Sequence, residues 1–163
     1  MSDIDKQEQE ELTQNYQLLI KNQQTLLLAT VSAHAEPECS YAPFVRDELK
    51  VFYIFVSELA THTKNMMDTQ KASILFIKPE QETKNFFVRE RVIFDCSISE
   101  IKQDDELYDR QLGLMKDQFG ETVELLRGLP DFHLLALTPV KGRYIAGFGK
   151  AFMIDMADGS LGF

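Results

Sequence analysis

Apolar positions recur three and four apart along residues 3–23. Leu12, Tyr16, Leu19 and Ile20 share one stripe, no Gly or Pro interrupts it, and the segment predicts a helix. Its acidic start (Asp3, Asp5, Glu8, Glu10, Glu11) suits the positive end of a helix dipole. The period then changes. Residues 25–31 predict a strand, 34–37 a turn and 39–45 the returning strand. Asp47 and Glu48 make a second tight turn. Residues 50–56, KVFYIFV, are β-branched and aromatic on both faces, which predicts a central strand covered on both sides.

Ser57 is placed to cap a helix over 58–69, and residues 71–77 predict a strand closed by Lys78 and Pro79. After a polar loop to Asn85, residues 86–98 alternate as one long strand. Val88, Glu90, Val92, Phe94, Cys96 and Ile98 take one face, and Phe87, Arg89, Arg91, Ile93 and Asp95 the other. A helix over 104–119 carries Tyr108, Leu112, Met115 and Phe119 on one stripe, and a short helix over 121–127 ends at Gly128. Strands over 132–138, 143–148 and 150–154 finish the chain. Close strands with short connections predict a small antiparallel barrel, because parallel pairing needs long crossovers. At 163 residues the expectation is a single domain over 1–163. A barrel of this size has one interior, so the second apolar face of 50–56 needs a cover, and a partner subunit would supply it. The expectation is a homodimer.

Composition narrows the class. With 44% hydrophobic residues, 12 Phe and 5 Tyr, the chain is not a disordered one. No apolar run reaches membrane-spanning length, and the acidic, Gln-rich start reads as no signal peptide. Cys39 and Cys96 have neither disulfide-framework nor zinc spacing, so a cytoplasmic protein is expected. A net charge of -9 argues against nucleic acid as a partner. The acidic run Asp104, Asp105, Glu106 and Asp109 reads as a solvated helix face.

The chemistry on offer is sparse. There are three histidines: His34 in a turn, His133 at a strand start, and His62 at the first turn of a helix, where free N–H groups favour anions or a cofactor. No nucleophile elbow, Walker loop or HExxH is present, and Gly147-Phe148-Gly149 reads as a bend between strands. Arg89 and Arg91, beside Phe87 on one strand face, would clamp a planar anionic ligand or form surface ion pairs.

The strings LATVSAHAEPECSYAPFV, FYIFVSELATHTKNM, KASILF, FFVRERVIF, LPDFHLLALTP and GRYIAGFGKAF together resemble the HutZ/HugZ haem-utilisation family, within the pyridoxamine 5′-phosphate oxidase-like, FMN-binding split-barrel proteins. The resemblance covers roughly residues 10–155. It implies a mainly β fold with helices: a six-stranded antiparallel split β-barrel with an N-terminal helix and a helical insertion before the last strands. It also implies a homodimer with cofactor clefts between subunits, holding haem in the family and FMN in its relatives.

Carried onto this sequence, the cofactor-binding positions are Ser57, Thr61, His62, Thr63, Asn65, Phe87, Arg89 and Arg91, and the catalytic positions Arg89, Arg91 and Asp131. Flavin oxidases open the helix with Ser-Arg-Lys where this chain has Ala60, Thr61 and His62, and they carry Gln where it has Arg91. In the family, a His in a C-terminal loop ligates the iron with Asp131's counterpart behind it; no His follows His133 here. Haem iron is therefore assigned to His62, with His133 or a flavin-filled or empty site as alternatives. Three functions follow: haem binding and utilisation with oxidative, iron-releasing degradation; FMN-dependent oxidoreduction; or non-catalytic cofactor binding.

Overall fold

The computed structural model describes residues 5–162. The helix expected over 3–23 is α1 (Lys6–Lys21). Asp5 caps it, accepting a hydrogen bond from Gln7 N at 2.7 Å; Asp3 lies outside the described residues. Leu12, Tyr16 and Ile20 form its buried stripe.

Nine antiparallel strands follow: β1 (Thr25–Val31), β2 (Pro37–Pro43), β3 (Val45–Arg46), β4 (Phe52–Ser57), β5 (Lys71–Ile77), β6 (Arg91–Ile101), β7 (Phe132–Gly147), β8 (Lys150–Ile154) and β9 (Leu161–Gly162). They make one sheet in the order β2-β1-β5-β6-β7-β4-β3, with β8 beside β7 and β9 beside β8. Six of them, β1, β2, β4, β5, β6 and β7, are at least six residues long and form the split barrel. Helix α2 (Thr61–Thr69) joins β4 to β5, while α3 (Glu106–Phe119) and α4 (Thr122–Arg127) are inserted between β6 and β7.

The interior is filled from alternate positions: Leu26 and Leu28, Ile74 and Phe76, Val92 and Phe94, Phe52 and Ile54, with Tyr144 and α1 closing one end. Phe44, Phe52 and Phe76 meet with ring centroids 5.3–5.6 Å apart. The rings are offset or edge-on, the preferred aromatic geometries.

The chain itself covers the second apolar face of β4. Tyr53, together with Val45, Leu134 and Ala136, packs against Tyr108, Leu112, Met115 and Val123 of α3 and α4. The argument that this face calls for a partner subunit therefore fails.

Two further expectations change. Residues 86–90 do not extend the strand: Phe86–Val88 is a 3-10 turn whose Asn85 Oδ1 accepts from Phe87 N, and β6 begins at Arg91. The two strands expected over 132–138 and 143–148 are one continuous β7. Pro139 is tolerated because the register against β6 shifts between Asp95 and Cys96, and a bulge is where a sheet admits a residue with no N–H. Gly142 is needed in β7 because a Cβ there would sit 2.8–3.0 Å from Met156, Ile154 and Phe94.

Candidate functional site

The expected site residues fall into two groups at opposite ends of β6. The first surrounds the entry to α2. Ser57, the last residue of β4, does not cap the helix. Its hydroxyl donates to Asp131 Oδ2 at 2.5 Å and accepts from Leu59 N at 3.1 Å. Helix α2 starts three residues later than expected, with Ala60 as its N-cap and no side-chain cap bond. Asp131 is bound again through its backbone, whose carbonyl accepts from Glu58 N at 2.8 Å.

Next to this pair His133, on β7, is held between two carboxylates. Its Nδ1 is 2.6 Å from Glu100 and its Nε2 2.6 Å from Glu58. Burial pulls the imidazole pKa down, but the two glutamates outweigh it and raise the value above the ordinary one. Burial likewise lifts Glu100, yet Lys102 and His133 bring it below the usual carboxylate value. With both ring nitrogens engaged, His133 is a bridge between β6, β7 and the α2 entry.

The first turn of α2 is different. Thr61 is exposed, whereas Thr63 is fully buried and its Oγ1 has no hydrogen-bond partner. His62 Nε2 is also buried and unpartnered. Burial lowers the His62 pKa, opposed by Glu38, and so favours the uncharged ring. Asn65 is satisfied, donating to Thr30 Oγ1 at 3.1 Å and to Glu38 at 3.5 Å. His62 and Thr63 thus carry two polar atoms sheltered from water that nothing in the described residues satisfies. Such atoms are uncommon.

The second group is Phe87, Arg89 and Arg91. The 3-10 turn leaves Phe87 92% exposed and removes the shared strand face on which the three were expected. Arg89 Nε donates to Lys78 O at 2.6 Å, and its Nη1 reaches Glu80 at 3.4 Å. Arg91 Nη1 donates to Arg89 O at 2.9 Å. Arg91 and Glu100 lie nine positions apart on β6, roughly 30 Å of strand. Within the chain the arginines and the α2 entry are separate.

The sheet's outer surface between the groups bears one feature the sequence reading missed. Registers align Tyr41, Leu27, Leu75, Ile93, Arg143 and Met153 in a row crossing β2, β1, β5, β6, β7 and β8. Tyr41, Leu27 and Met153 are 64%, 46% and 37% exposed. Nothing among the described residues covers this row, and a shallow cavity of about 410 Å³ lies along Leu27, Leu75 and Ile93. The signal was in the sequence as outward apolar residues on several strands, but only the register lines them up.

No helix among the described residues is long and apolar enough to cross a membrane.

Comparison with known proteins gives one family model, that of pyridoxamine 5′-phosphate oxidase, matching residues 12–146. The chain is 36% identical over 138 residues to the heme oxygenase HutZ of Vibrio cholerae serotype O1, covering 85% of this chain and 78% of that protein. The crystal structure of HutZ from Vibrio cholerae, described as a heme storage protein, superposes with a TM-score of 0.73 at 35% identity over 78% of this chain and 89% of that one. ChuZ of Campylobacter jejuni superposes with a TM-score of 0.82 at 27% identity, over 99% of this chain and 63% of that chain.

Proposed function

This chain belongs to the HutZ/HugZ haem-utilisation family of the pyridoxamine 5′-phosphate oxidase-like split-barrel proteins, and on that ground we propose that it binds haem between two copies of itself and serves in haem utilisation. The observation that carries the reading is the start of α2, where His62 Nε2 and Thr63 Oγ1 are buried without partners. A neutral imidazole nitrogen with no hydrogen-bond partner suits haem iron. His133, with both nitrogens bound to carboxylates, does not.

Haem, when bound, supplies the redox-active iron for oxidative degradation. The chain's own residues hold and orient. His62 would hold the iron, and the Ser57–Asp131 pair with the His133 bridge would fix the loop from which α2 starts. The FMN reading is weaker at the same place. The helix start has Thr61 and His62 where flavin relatives place Arg and Lys, and Arg91 is engaged by the Arg89 carbonyl.

The second copy is supported by the uncovered outer row and by the distance between the two groups. A cleft using both the α2 entry and the Phe87–Arg89–Arg91 group requires one group from each copy. One relative is a heme oxygenase and one similar structure a heme storage protein, and what the two share is haem binding.

The test is a haem titration followed by absorption, on wild type, His62→Ala and His133→Ala. A saturable Soret band is expected in wild type, with its position shifted in the His62 variant and unchanged in the His133 variant. An unchanged Soret position and affinity in His62→Ala would remove His62 as ligand. Flavin bands in the purified protein, without haem uptake, would favour the FMN-dependent reading.

A further inference from the structure

A second ligand-sized space lies at the other end of β4, away from Ser57. Below the last turns of α1 and α3, a cavity of about 490 Å³ is bordered by Lys21, Arg46 and Lys50 and by the amides of Gln17 and Gln118. That volume is in the range of small-molecule sites. No Asp or Glu lines it, although the chain has 26 acidic residues against 17 basic ones.

Three acids that lie close by in the fold are engaged by backbone or side-chain donors. Asp47 accepts from Val51 N at 2.9 Å and from the Tyr53 hydroxyl at 2.8 Å. Asp155, which lines an adjoining cavity, accepts from Ala157 N at 2.7 Å, and Asp158, which accepts from Ser160 N at 2.8 Å, also feels the Lys50 charge. Among the described residues, none of Lys21, Arg46 and Lys50 is within 4.0 Å of a carboxylate oxygen.

Arg46 is the fixed element. Its guanidinium carbon lies 4.7 Å over the Phe52 ring, which is fully buried, and its Nε is buried with no partner. Burial lowers its pKa, opposed by Tyr16 and Asp47, and arginine keeps its charge across the physiological range. Arg46 and Lys50 also border an adjoining cavity of about 150 Å³, which Asp155 lines as well. A partly buried guanidinium with an unsatisfied N–H is costly to leave unpaired, and three cations around one space repel each other. An oxyanion satisfies the N–H and relieves the repulsion together, and the guanidinium fork matches oxyanion geometry.

We infer that this cavity binds a small multivalent oxyanion, a polycarboxylate or a phosphate ester, held by Arg46, Lys50 and Lys21. The site is separate from the proposed haem site: Arg46 pairs with Phe52 at the start of β4, and Ser57 is at its end.

Isothermal titration of the full chain with citrate and with pyrophosphate tests it, against sodium chloride at matched ionic strength. Saturable binding of at least one probe, one site per chain, is expected, with no saturable response to chloride. Tighter citrate assigns the polycarboxylate form, and tighter pyrophosphate the phosphate form. Arg46→Met should weaken binding tenfold or more. Lys21→Gln with Lys50→Gln should weaken it several-fold, and this pair carries the test should Arg46→Met not fold. Lys84→Gln, exposed and away from the cavity, is the control and should bind as wild type. Absence of saturation by both probes overturns the inference, as does wild-type affinity in the double lysine variant. Haem titration of the same variants should be unchanged, so failure here and failure of the haem reading are told apart.

Discussion

The barrel has two apolar outer surfaces, and the chain treats them differently. Over β4 and the first half of β7, α3 and α4 form a lid, with Leu112 fully buried against Tyr53, Leu134 and Ala136. Across β2, β1, β5, β6, β7 and β8, the row from Tyr41 to Met153 has no lid among the described residues. The first surface was where the sequence suggested a partner, and it is ordinary core. The second is broken up in the sequence, one or two residues per strand, and becomes a surface only when the strands are in register. Apolarity on both faces of a strand therefore shows that a cover exists without telling whose it is.

The largest effect should come from the covered surface. Leu112→Ala leaves a cavity under α3 and should cost about 3 kcal/mol of unfolding free energy, at the scale of large-to-small core substitutions. Its sedimentation coefficient under native conditions should stay that of wild type. A change of assembly in this variant would mean that the lid, too, belongs to an interface.

Ile93→Asp probes the open surface and should do the reverse. A charge at the centre of an apolar interface should weaken self-association by more than tenfold, about 1.4 kcal/mol or more, with little change in the stability of the single chain. Sedimentation equilibrium reads it. If the variant associates as wild type does, the row is not where the copies meet.

A smaller effect concerns the bridge at the α2 entry. His133 has a raised pKa in the folded chain. Its contribution is full below the ordinary value of 6.5 and is lost as pH rises through the raised one. Glu100 has a lowered pKa, so its contribution is present above 4.5 and is lost as pH falls through the lowered value. Urea denaturation from about pH 6 to pH 9 should show wild type losing stability that His133→Gln does not lose. Parallel curves for the two proteins would show that the bridge does not hold the entry loop.

The smallest effect is at Thr63. Its hydroxyl is buried and unpaired, so Thr63→Val should leave stability unchanged or raise it by up to about 1 kcal/mol. A clear loss on thermal denaturation would show that the hydroxyl has a partner in the folded protein.

Much of the fold was legible in the sequence. The ends of β1 and β5 coincide with their apolar runs, and the stripe Tyr108, Leu112, Met115 is the buried face of α3. Errors arose where one residue serves two rules. Asn85 caps a turn, so the alternation through Phe87 and Arg89 did not become strand. Pro139 and Gly142 look like breakers, yet one sits at a bulge and the other at a close approach inside β7. Ser57 looks like a cap but spends its hydroxyl on Asp131, 74 residues away, a contact that no local pattern encodes. Of the candidate site, His62 and Thr63 were placed by position at a helix start. The separation of Arg89 and Arg91 from them was not legible, because distance along β6 depends on where that strand begins.

The central claim is that haem is held between two copies of this chain. Sedimentation velocity of the haem-titrated protein, read at the Soret maximum, tests it most directly. Haem absorbance is predicted to move with a species of twice the 18.7 kDa chain mass. Haem absorbance travelling with an 18.7 kDa species, or staying behind as free haem, would contradict it.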